Sequence, residues 1–352
     1  MKNMKQRIVI TMGDPAGIGP EIVVKAQADC HIKEQCIPIV IGDKIALEDA
    51  IRYTNSSVRL RQINRIEDAL GNPRELEYLN IGALKREDYV YGQVSAACGD
   101  AAFQYILCSI ELAKAGQAAA VVTGPISKEA LHLAGHLFSG HTEIFARYTG
   151  GGAYAMLLCS GQLRVIHVTT HVALRQACDL IQKTRVFETI RLAQEALESL
   201  GIPDGRIGVA GLNPHSSENG LFGSEEKDEI EPAVRAAQAA GIRVEGPIPP
   251  DTVFVKAMGG MYDMVVAMYH DQGHIPLKLS GFHMDTETGQ FLSMQGVNTT
   301  IGLPIIRTSV DHGTAFDRAG KNLANEQSLL EALEMAICMV RHRSSAKGNT
   351  GR

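Results

Sequence analysis

Long apolar runs are missing from this 352-residue chain. No stretch reaches the roughly 18 apolar residues that mark a membrane-spanning helix, so no membrane partner is expected. A basic stripe is missing too: 34 Lys and Arg face 39 Asp and Glu, for a net charge of -5. That balance, with the cations dispersed, excludes the footprint of a nucleic-acid binder, although one or two well-placed cations still suffice for a small anion. The seven cysteines at 30, 36, 98, 108, 159, 178 and 338 are odd in number and contain no C-x-x-C. They read as reduced thiols, mostly core fillers. The opening M-K-N-M-K-Q-R is basic, but Asp14 and Pro15 follow without a signal-peptide hydrophobic region or cleavage site. A soluble, cytoplasmic protein is the expectation. Internal repeats and low-complexity linkers are also lacking.

What is present is an alternation of short apolar runs with amphipathic stretches. Arg7–Thr11, Ile37–Ile41, Ala118–Thr123, Tyr154–Cys159, Leu163–Thr169, Arg206–Ala210 and Met264–Met268 read as strands. Gly19–Asp29, Ala96–Ala115, Lys128–Leu133, Arg175–Leu200, Lys227–Ala240 and Ser328–His342 read as helices. Val-, Ile- and Ala-rich strands followed by helical stretches predict an α/β protein with a largely parallel sheet. A hydrophobic content of 45% supplies a real core, and the length reaches the size at which chains divide into two lobes. Ligands of such folds gather where strands end. Here T-M-G-D-P-A-G-I-G-P, T-G-P-I-S-K, T-T-H, G-L-N-P-H and Y-H-D-Q-G each follow a strand, which argues for one composite site.

Three of the twelve histidines, His171, His215 and His270, hold equivalent positions after strands. Taken singly, a histidine is more often a hydrogen-bonded residue than a ligand. Three at strand ends fit a metal site assembled from several strands, since imidazole suits Zn, Co, Ni or Fe and three ligands leave one position open for substrate. Asp271 or Asp251 is suited to orient a ligand or accept a proton. The first glycine-rich loop is neither G-x-G-x-x-G nor G-K-[ST], because its glycines fall at 13, 17 and 19. It reads as either a structural turn or an anion-facing loop. In T-G-P-I-S-K, Ser127 is suited to cap a helix and Lys128 offers a point charge. In S-G-H-T-E, His141 and Thr142 place a ring donor beside a hydroxyl, for a phosphate, a carboxylate or a helix cap. Lys278, Asn298 and Arg307 complete the polar set. Burial of Arg307 within I-I-R-T would be costly unless an anion compensates.

G-D-P-A-G-I-G-P-E, V-V-T-G-P-I-S-K, F-S-G-H-T-E, T-T-H-V-A-L-R, G-L-N-P-H, M-Y-H-D-Q-G and G-L-P-I-I-R-T-S-V-D-H-G-T-A fall in this order along residues 7–340. Together they resemble the 4-hydroxythreonine-4-phosphate dehydrogenase family. The resemblance implies that His171, His215 and His270 bind one divalent ion (Zn, Co, Mg or Mn). It places His141, Thr142, Lys278, Asn298 and Arg307 around a phosphorylated substrate and Lys278, Asp271 and Asp251 in the catalytic shell. It also implies a homodimer with a shared active site, His270 joining His171 and His215 of the partner. The implied fold is the two-domain α/β/α arrangement of isocitrate and isopropylmalate dehydrogenases, which binds NAD without a Rossmann fingerprint. Residues 1–145 with 300–352 would form one domain and residues 146–299 the other, carrying much of the metal site and dimer interface, with the active site in the cleft. The segment 311–325 looks like that fold's nucleotide-facing stretch, making His312, Gly313, Asp317 and Asn325 the expected NAD contacts.

Two features separate the chain from the vitamin-pathway members, which carry L-P-V-L-K where this chain has H-I-P-L-K, with His274. Residues 283–295 also look like an insertion. Both resemble a branch that oxidises 4-phospho-D-threonate or 4-phospho-D-erythronate at C3 and decarboxylates the product to dihydroxyacetone phosphate. Alternatives are 4-phosphohydroxy-L-threonine oxidation for pyridoxal phosphate synthesis, a metal-dependent phosphohydrolase, and a non-enzymatic sugar-phosphate-binding protein.

Overall fold

The computed structural model describes residues 5–284, 286, 291–294 and 296–349. It is a mixed α/β fold with a multi-stranded sheet and surrounding helices, in two compact units. One comprises Met1–Gly151 with Leu303–Val340, the other Gly152–Gly302 with Arg341–Arg352. The first unit opens with β1 (Gln6–Thr11), β2 (Cys36–Gly42), β3 (Arg59–Ile63), β4 (Glu75–Asn80) and β5 (Ala120–Thr123). The second holds β6 (Ala155–Ser160), β7 (Leu163–His167), β8 (Ile207–Ala210), β9 (Val244–Ile248), β10 (Met264–Ala267), β11 (Phe282–Met284), β12 (Phe291–Met294) and β13 (Val297–Ile301). The chain then re-enters the first unit with β14 (Arg307–Val310). No helix of the described residues is long and apolar enough to cross a membrane.

In the first unit the strand order is β3-β4-β2-β1-β5-β14, and every pairing is parallel. Ile8, Val9 and Ile10 of β1 are fully buried, as a strand covered on both faces requires. In the second unit the order is β13-β6-β7-β10-β8-β9. Here β13 and β7 flank β6 antiparallel, while β7, β10, β8 and β9 run parallel. Its core includes Leu158, Val165, Val253, Phe254, Val265 and Leu277. Strands β11 and β12 pair antiparallel, in the stretch expected to be an insertion (283–295). Residues 285, 287–290 and 295 of that stretch lie outside the described residues.

Several expected helices change their bounds for identifiable reasons. Arg175–Leu200 is two helices, Leu174–Leu180 and Lys183–Ser199. The Glu229 carboxylate accepts the Lys183 N–H at 2.6 Å, giving the second helix its own cap from outside. His270–Gly281, expected to open as a polar loop, is helical from its first histidine, with Asp271 in the first turn where the helix dipole favours a carboxylate. Ser127 caps Lys128–Leu133 by accepting the Ala130 N–H at 3.2 Å.

The first glycine-rich loop is a structural turn. Gly13 has φ +80°, and a Cβ there would lie 2.4 Å from the Pro125 carbonyl oxygen. A Cβ on Gly19 would lie 2.1 Å from that of Met12. The glycines thus serve close approach to the chain's own backbone. Between them Asp14 is fully buried. Its Oδ1 accepts the Ala16 N–H at 2.9 Å, while Oδ2 has no hydrogen-bond partner among the described residues. Burial pushes this carboxyl up to about 6 from an ordinary 3.8, opposed by the Ala16 hydrogen bond. With the folded pKa raised, the fold bears no penalty below about pH 4, a growing one between about pH 4 and 6, and a constant one of about 3 kcal/mol above. Asp14→Asn should therefore melt at higher temperature than the parent at about pH 7.5 and at a similar temperature near pH 4. Equal melting temperatures at both pH values would contradict the buried-acid assignment.

Candidate active site

In the second unit the strand-end polar residues are gathered by zipping of the loops that leave the sheet. Parallel β7 and β10 are in register at Ala267 and His167. Their pairing continues past the strands, since Val168 N donates to Ala267 O at 2.9 Å and Thr169 Oγ1 to Met268 O at 2.9 Å. Two exit loops held side by side bring His171 and His270 together, their ring centroids 5.7 Å apart. Both line a cavity of about 360 Å³ with Thr170, Leu174, Tyr269 and Asp271. His270 Nδ1 donates to Asp271 Oδ1 at 2.6 Å. That bond holds Asp271 below the usual carboxylate range and leaves His270 Nε2 as the nitrogen available to a cation.

Gln272 extends the stitching to β8. Its Oε1 accepts the Met268 N–H at 2.6 Å and its Nε2 donates to Gly211 O at 2.8 Å. Beyond Gly211, buried Glu226 accepts the N–H groups of Leu212 and Asn213 at 2.8 and 2.7 Å. The chain then turns through His215, Ser216, Ser217, Glu218 and Asn219, all at left-handed φ between 45° and 61°. Such a run costs roughly 1–2 kcal/mol per residue and persists only where the surroundings impose it. His215 is exposed, with Nδ1 3.3 Å from Glu218 Oε2. Among the described residues, no three His, Cys, Asp or Glu side chains of one chain are grouped as metal ligands.

The remaining residues of this unit are spread. Lys278 is exposed on the helix that begins at His270, its ammonium 5.3 Å from the Phe282 ring centroid. Asn298 on β13 donates through Nδ2 to Met156 Sδ at 3.2 Å, while its buried Oδ1 has no partner among the described residues. Asp251 stands exposed in the first turn of helix Pro250–Met258, with no hydrogen bond to the histidines among the described residues.

The first unit builds a compact cationic corner. Arg307, the first residue of β14, is 2% exposed. It donates through an Nη to Thr123 Oγ1 at 2.7 Å and lies 5.6 Å from the Phe145 ring centroid. Burial lowers its guanidinium to about 9, so a neutralising anion would be favoured beside it. His141 opens the helix His141–Thr149, whose N-terminus favours negative charge. Burial, and then the charge of Arg307, hold its ring well below the ordinary imidazole value, which favours the neutral form. Its Nε2 is buried without a partner among the described residues. Thr142 follows it, half-buried. In the 311–325 segment, His312 Nδ1 donates to Gly313 O at 3.0 Å while Nε2 is buried without a partner among the described residues. Gly313 faces open space, Asp317 is exposed, and Asn325 Oδ1 accepts the Gln327 N–H at 2.7 Å.

The family model described as pyridoxal phosphate biosynthetic protein PdxA matches residues 34–336. The chain belongs to the PdxA family. Among its relatives is a D-threonate 4-phosphate dehydrogenase of Cupriavidus necator, 47% identical over 338 residues, covering 96% of this chain and 98% of that one. The protein of that name from Salmonella typhimurium is 46% identical over 331 residues, covering 94% and 98%. A crystal structure of a 4-hydroxythreonine-4-phosphate dehydrogenase from Klebsiella pneumoniae is 44% identical, covers 97% and 99%, and superposes with a TM-score of 0.84.

Against this PdxA-family frame, several structurally central residues had no signal in the sequence. Gln272 lay inside the Y-H-D-Q-G motif, but nothing in the spacing showed that its amide would tie two loops. Glu226 sits in an acidic run that reads as a solvated face, yet it is 3% exposed. His167 lies within an apolar strand and becomes notable only through its neighbours. The cationic corner has a direct consequence. Arg307→Ala should weaken binding of a phosphate ester by about 2–3 kcal/mol, the range for lost charge-assisted bonds, and Arg307→Lys should restore little because one ammonium cannot reproduce the planar fork. Calorimetric titration measures both, and unchanged affinity in Arg307→Ala removes that side chain from the site.

Proposed function

We propose that this PdxA-family chain is a dehydrogenase, dependent on NAD and a divalent ion, that oxidises 4-phospho-D-threonate at C3. 4-Phospho-D-erythronate would be a second substrate. Decarboxylation follows, giving dihydroxyacetone phosphate, carbon dioxide and NADH. The near full-length likeness to proteins named D-threonate 4-phosphate dehydrogenase carries this reading. The second reading, 4-phosphohydroxy-L-threonine oxidation, is favoured by the names of the family model and of the superposing crystal structure. The finer architecture in this proposal is the two-domain arrangement of isopropylmalate dehydrogenase, with residues 1–145 and 300–352 in one domain and 146–299 in the other. The proposed location is the cytoplasm.

The roles follow from the chemistry of each side chain. Arg307, His141 and Thr142 hold the phosphate: a buried guanidinium, an unpartnered ring nitrogen and a helix N-terminus suit a dianion. Asn298 Oδ1, buried and without a partner among the described residues, is suited to accept from a substrate hydroxyl. Lys278 or Asp271 takes the proton from the C3 hydroxyl, and Asp251 belongs to the same polar shell. Asp271 is better suited to orienting His270, because the bond between them stabilises the carboxylate and makes it a weak base. His312, Gly313, Asp317 and Asn325 contact the nucleotide; the unpartnered His312 Nε2 and the open space at Gly313 fit that use. His171, His215 and His270 fit a divalent ion (Zn, Co, Mg or Mn), since Nδ1 of His270 is already engaged and Nε2 is presented. When bound, the ion lowers the pKa of the C3 hydroxyl and stabilises the charge left by decarboxylation, while NAD accepts the hydride.

A homodimer sharing its sites completes the proposal. Exposed Leu174, Leu221, Val255, Ile275 and Leu279 of the histidine-bearing unit are between 59% and 77% exposed and suit burial against a second copy. In the family-based arrangement His270 joins the partner's His171 and the partner's His215. The 5.7 Å between His171 and His270 within one chain favours a second arrangement, in which these two act together and the partner supplies His215.

Adding NAD and each of the three phosphorylated acids while following absorbance at 340 nm tests the reaction. 4-Phospho-D-threonate should give the highest kcat/KM and chelation should abolish turnover. Phosphate release without NADH would establish a hydrolase instead. Mixed dimers test the sharing: two inactive variants, His215→Ala and His270→Ala, should regain activity when co-refolded under either shared arrangement. His171→Ala with His270→Ala should regain it only if those two ligands come from different subunits. No recovery in either mixture would place all three histidines in one protomer.

A further inference from the structure

Behind His270 stand two more histidines that none of the roles above uses. The ring of His274, one helical turn on, stacks face to face on that of His270, with centroids 3.6 Å apart and planes inclined by 13°. His274 is itself fixed. Its Nδ1 lies 2.9 Å from His270 O, and since a carbonyl only accepts, Nδ1 carries the proton. Beside it, tilted by 46°, lies His167 of β7, with centroids 4.9 Å apart. His167 is fully buried and donates from Nδ1 to Met156 O at 3.2 Å. Gly273 lets the helix approach this ring, because a Cβ there would lie 2.3 Å from His167 Nε2. The three imidazoles therefore form a column from the sheet to the cavity, with His270 outermost.

His270 needs such support more than a buried residue would. Its side chain is 36% exposed and it heads a helix, where the backbone alone leaves the ring free to swing about its χ angles. Its bond to Asp271 fixes one edge, but Asp271 is 71% exposed and yields readily to water. The flat face of His274 is the restraint that comes from the protein interior. Pro276 strengthens the case that this turn is arranged for its side chains: inside a helix it removes the N–H that would serve the Gln272 carbonyl.

We propose that His274 is a positioning residue, a flat shelf anchored on His167 that holds the His270 imidazole in the orientation its Nε2 needs to bind a divalent cation. This rests on the reading of His270 as a ligand. The alternative is a histidine that only fills the core, and the two differ in what they do to cation affinity and to the His270 ring itself.

Titration of the metal-stripped full-length protein with Co²⁺, in competition with a chelator, reads the first difference. His274→Leu, which fills the space without a flat face, should weaken Co²⁺ binding roughly 10–100-fold, the range for lost outer partners of a ligating histidine, and shift the visible cobalt bands. His274→Phe, which restores a flat face, should recover most of the loss. Parental affinity in a folded His274→Leu overturns the proposal. If His270→Ala also binds as the parent does, the ligand reading falls with it; if His270→Ala loses the ion while His274→Leu keeps it, only the shelf is lost. Should His274→Leu fail to fold, the parent protein without metal carries the test. The Hε1 proton of His270 should resonate upfield through the ring current of the facing imidazole, and an ordinary shift there overturns the proposal.

Discussion

The amide of Gln272 spends both of its ends on backbone, accepting from Met268 and donating to Gly211. That buried link is the constraint from which the second unit's site follows. Parallel strands deliver their exits to one edge of a sheet, but the exits diverge unless something satisfies the polar backbone groups that the ladder no longer pairs. Here β7 and β10 exits pair directly, and Gln272 carries the arrangement across to β8. Glu226 then takes over at Leu212 and Asn213. Each link is a buried polar group with its partner in place, the state in which such groups rigidify instead of destabilising. The strained turn at His215–Asn219 is tolerated because this scaffold precedes it.

The first unit solves a similar problem with charge. Glu21 is fully buried at the start of helix Gly19–Ala26, and its Oε1 accepts from Lys25 Nζ at 2.8 Å and from Ala324 N at 2.7 Å. Lys25 in turn donates to Ala324 O at 2.7 Å. One ion pair thus grips both polar groups of a single residue in the 311–325 segment, more than 300 positions along the chain from Glu21. Ile18 N adds a bond to Thr314 O at 3.0 Å. The first glycine-rich loop and the helix it opens thus support the 311–325 segment.

This explains which parts of the molecule were legible beforehand. Strands β1, β2, β5, β6, β7, β8 and β10 are apolar runs buried on both faces, so their hydrophobicity announces them. Strands β3 and β4 read R-L-R-Q-I and E-L-E-Y-L-N, where charge masks the pattern: β3 lies at the end of the strand order and exposes part of itself. Strands β13 and β14 were hidden for the opposite reason. V-N-T-T-I and R-T-S-V place Thr, Ser and Arg in the interior, where Thr299 and Thr308 are fully buried. The candidate site was legible only as a set of residue types after strands, where ligands of open α/β sheets gather. The stitching was not visible. Gln272, Glu226 and His167 act through contacts far apart in sequence, and no local pattern distinguishes a glutamine that bridges two loops from one that faces water.

The two units also divide the electrostatic labour. Arg307 is buried, and the imidazole of His141 beside it is held well below its ordinary pKa, so that ring adds little positive charge to the first unit's corner. In the second unit, burial keeps His167 down at about 3, and His274 at about 4, so the column behind His270 carries no charge. Had either ring been protonated, it would have opposed a cation at His270 through a low-dielectric medium, where such repulsion is strongest. A neutral aromatic column gives rigidity without that cost, whereas a lysine or arginine in the same place would disfavour any cation there. Under the proposed reading, with an anion at one place and a cation at another, the polar side chains buried in each unit would matter as much as those that face the substrate.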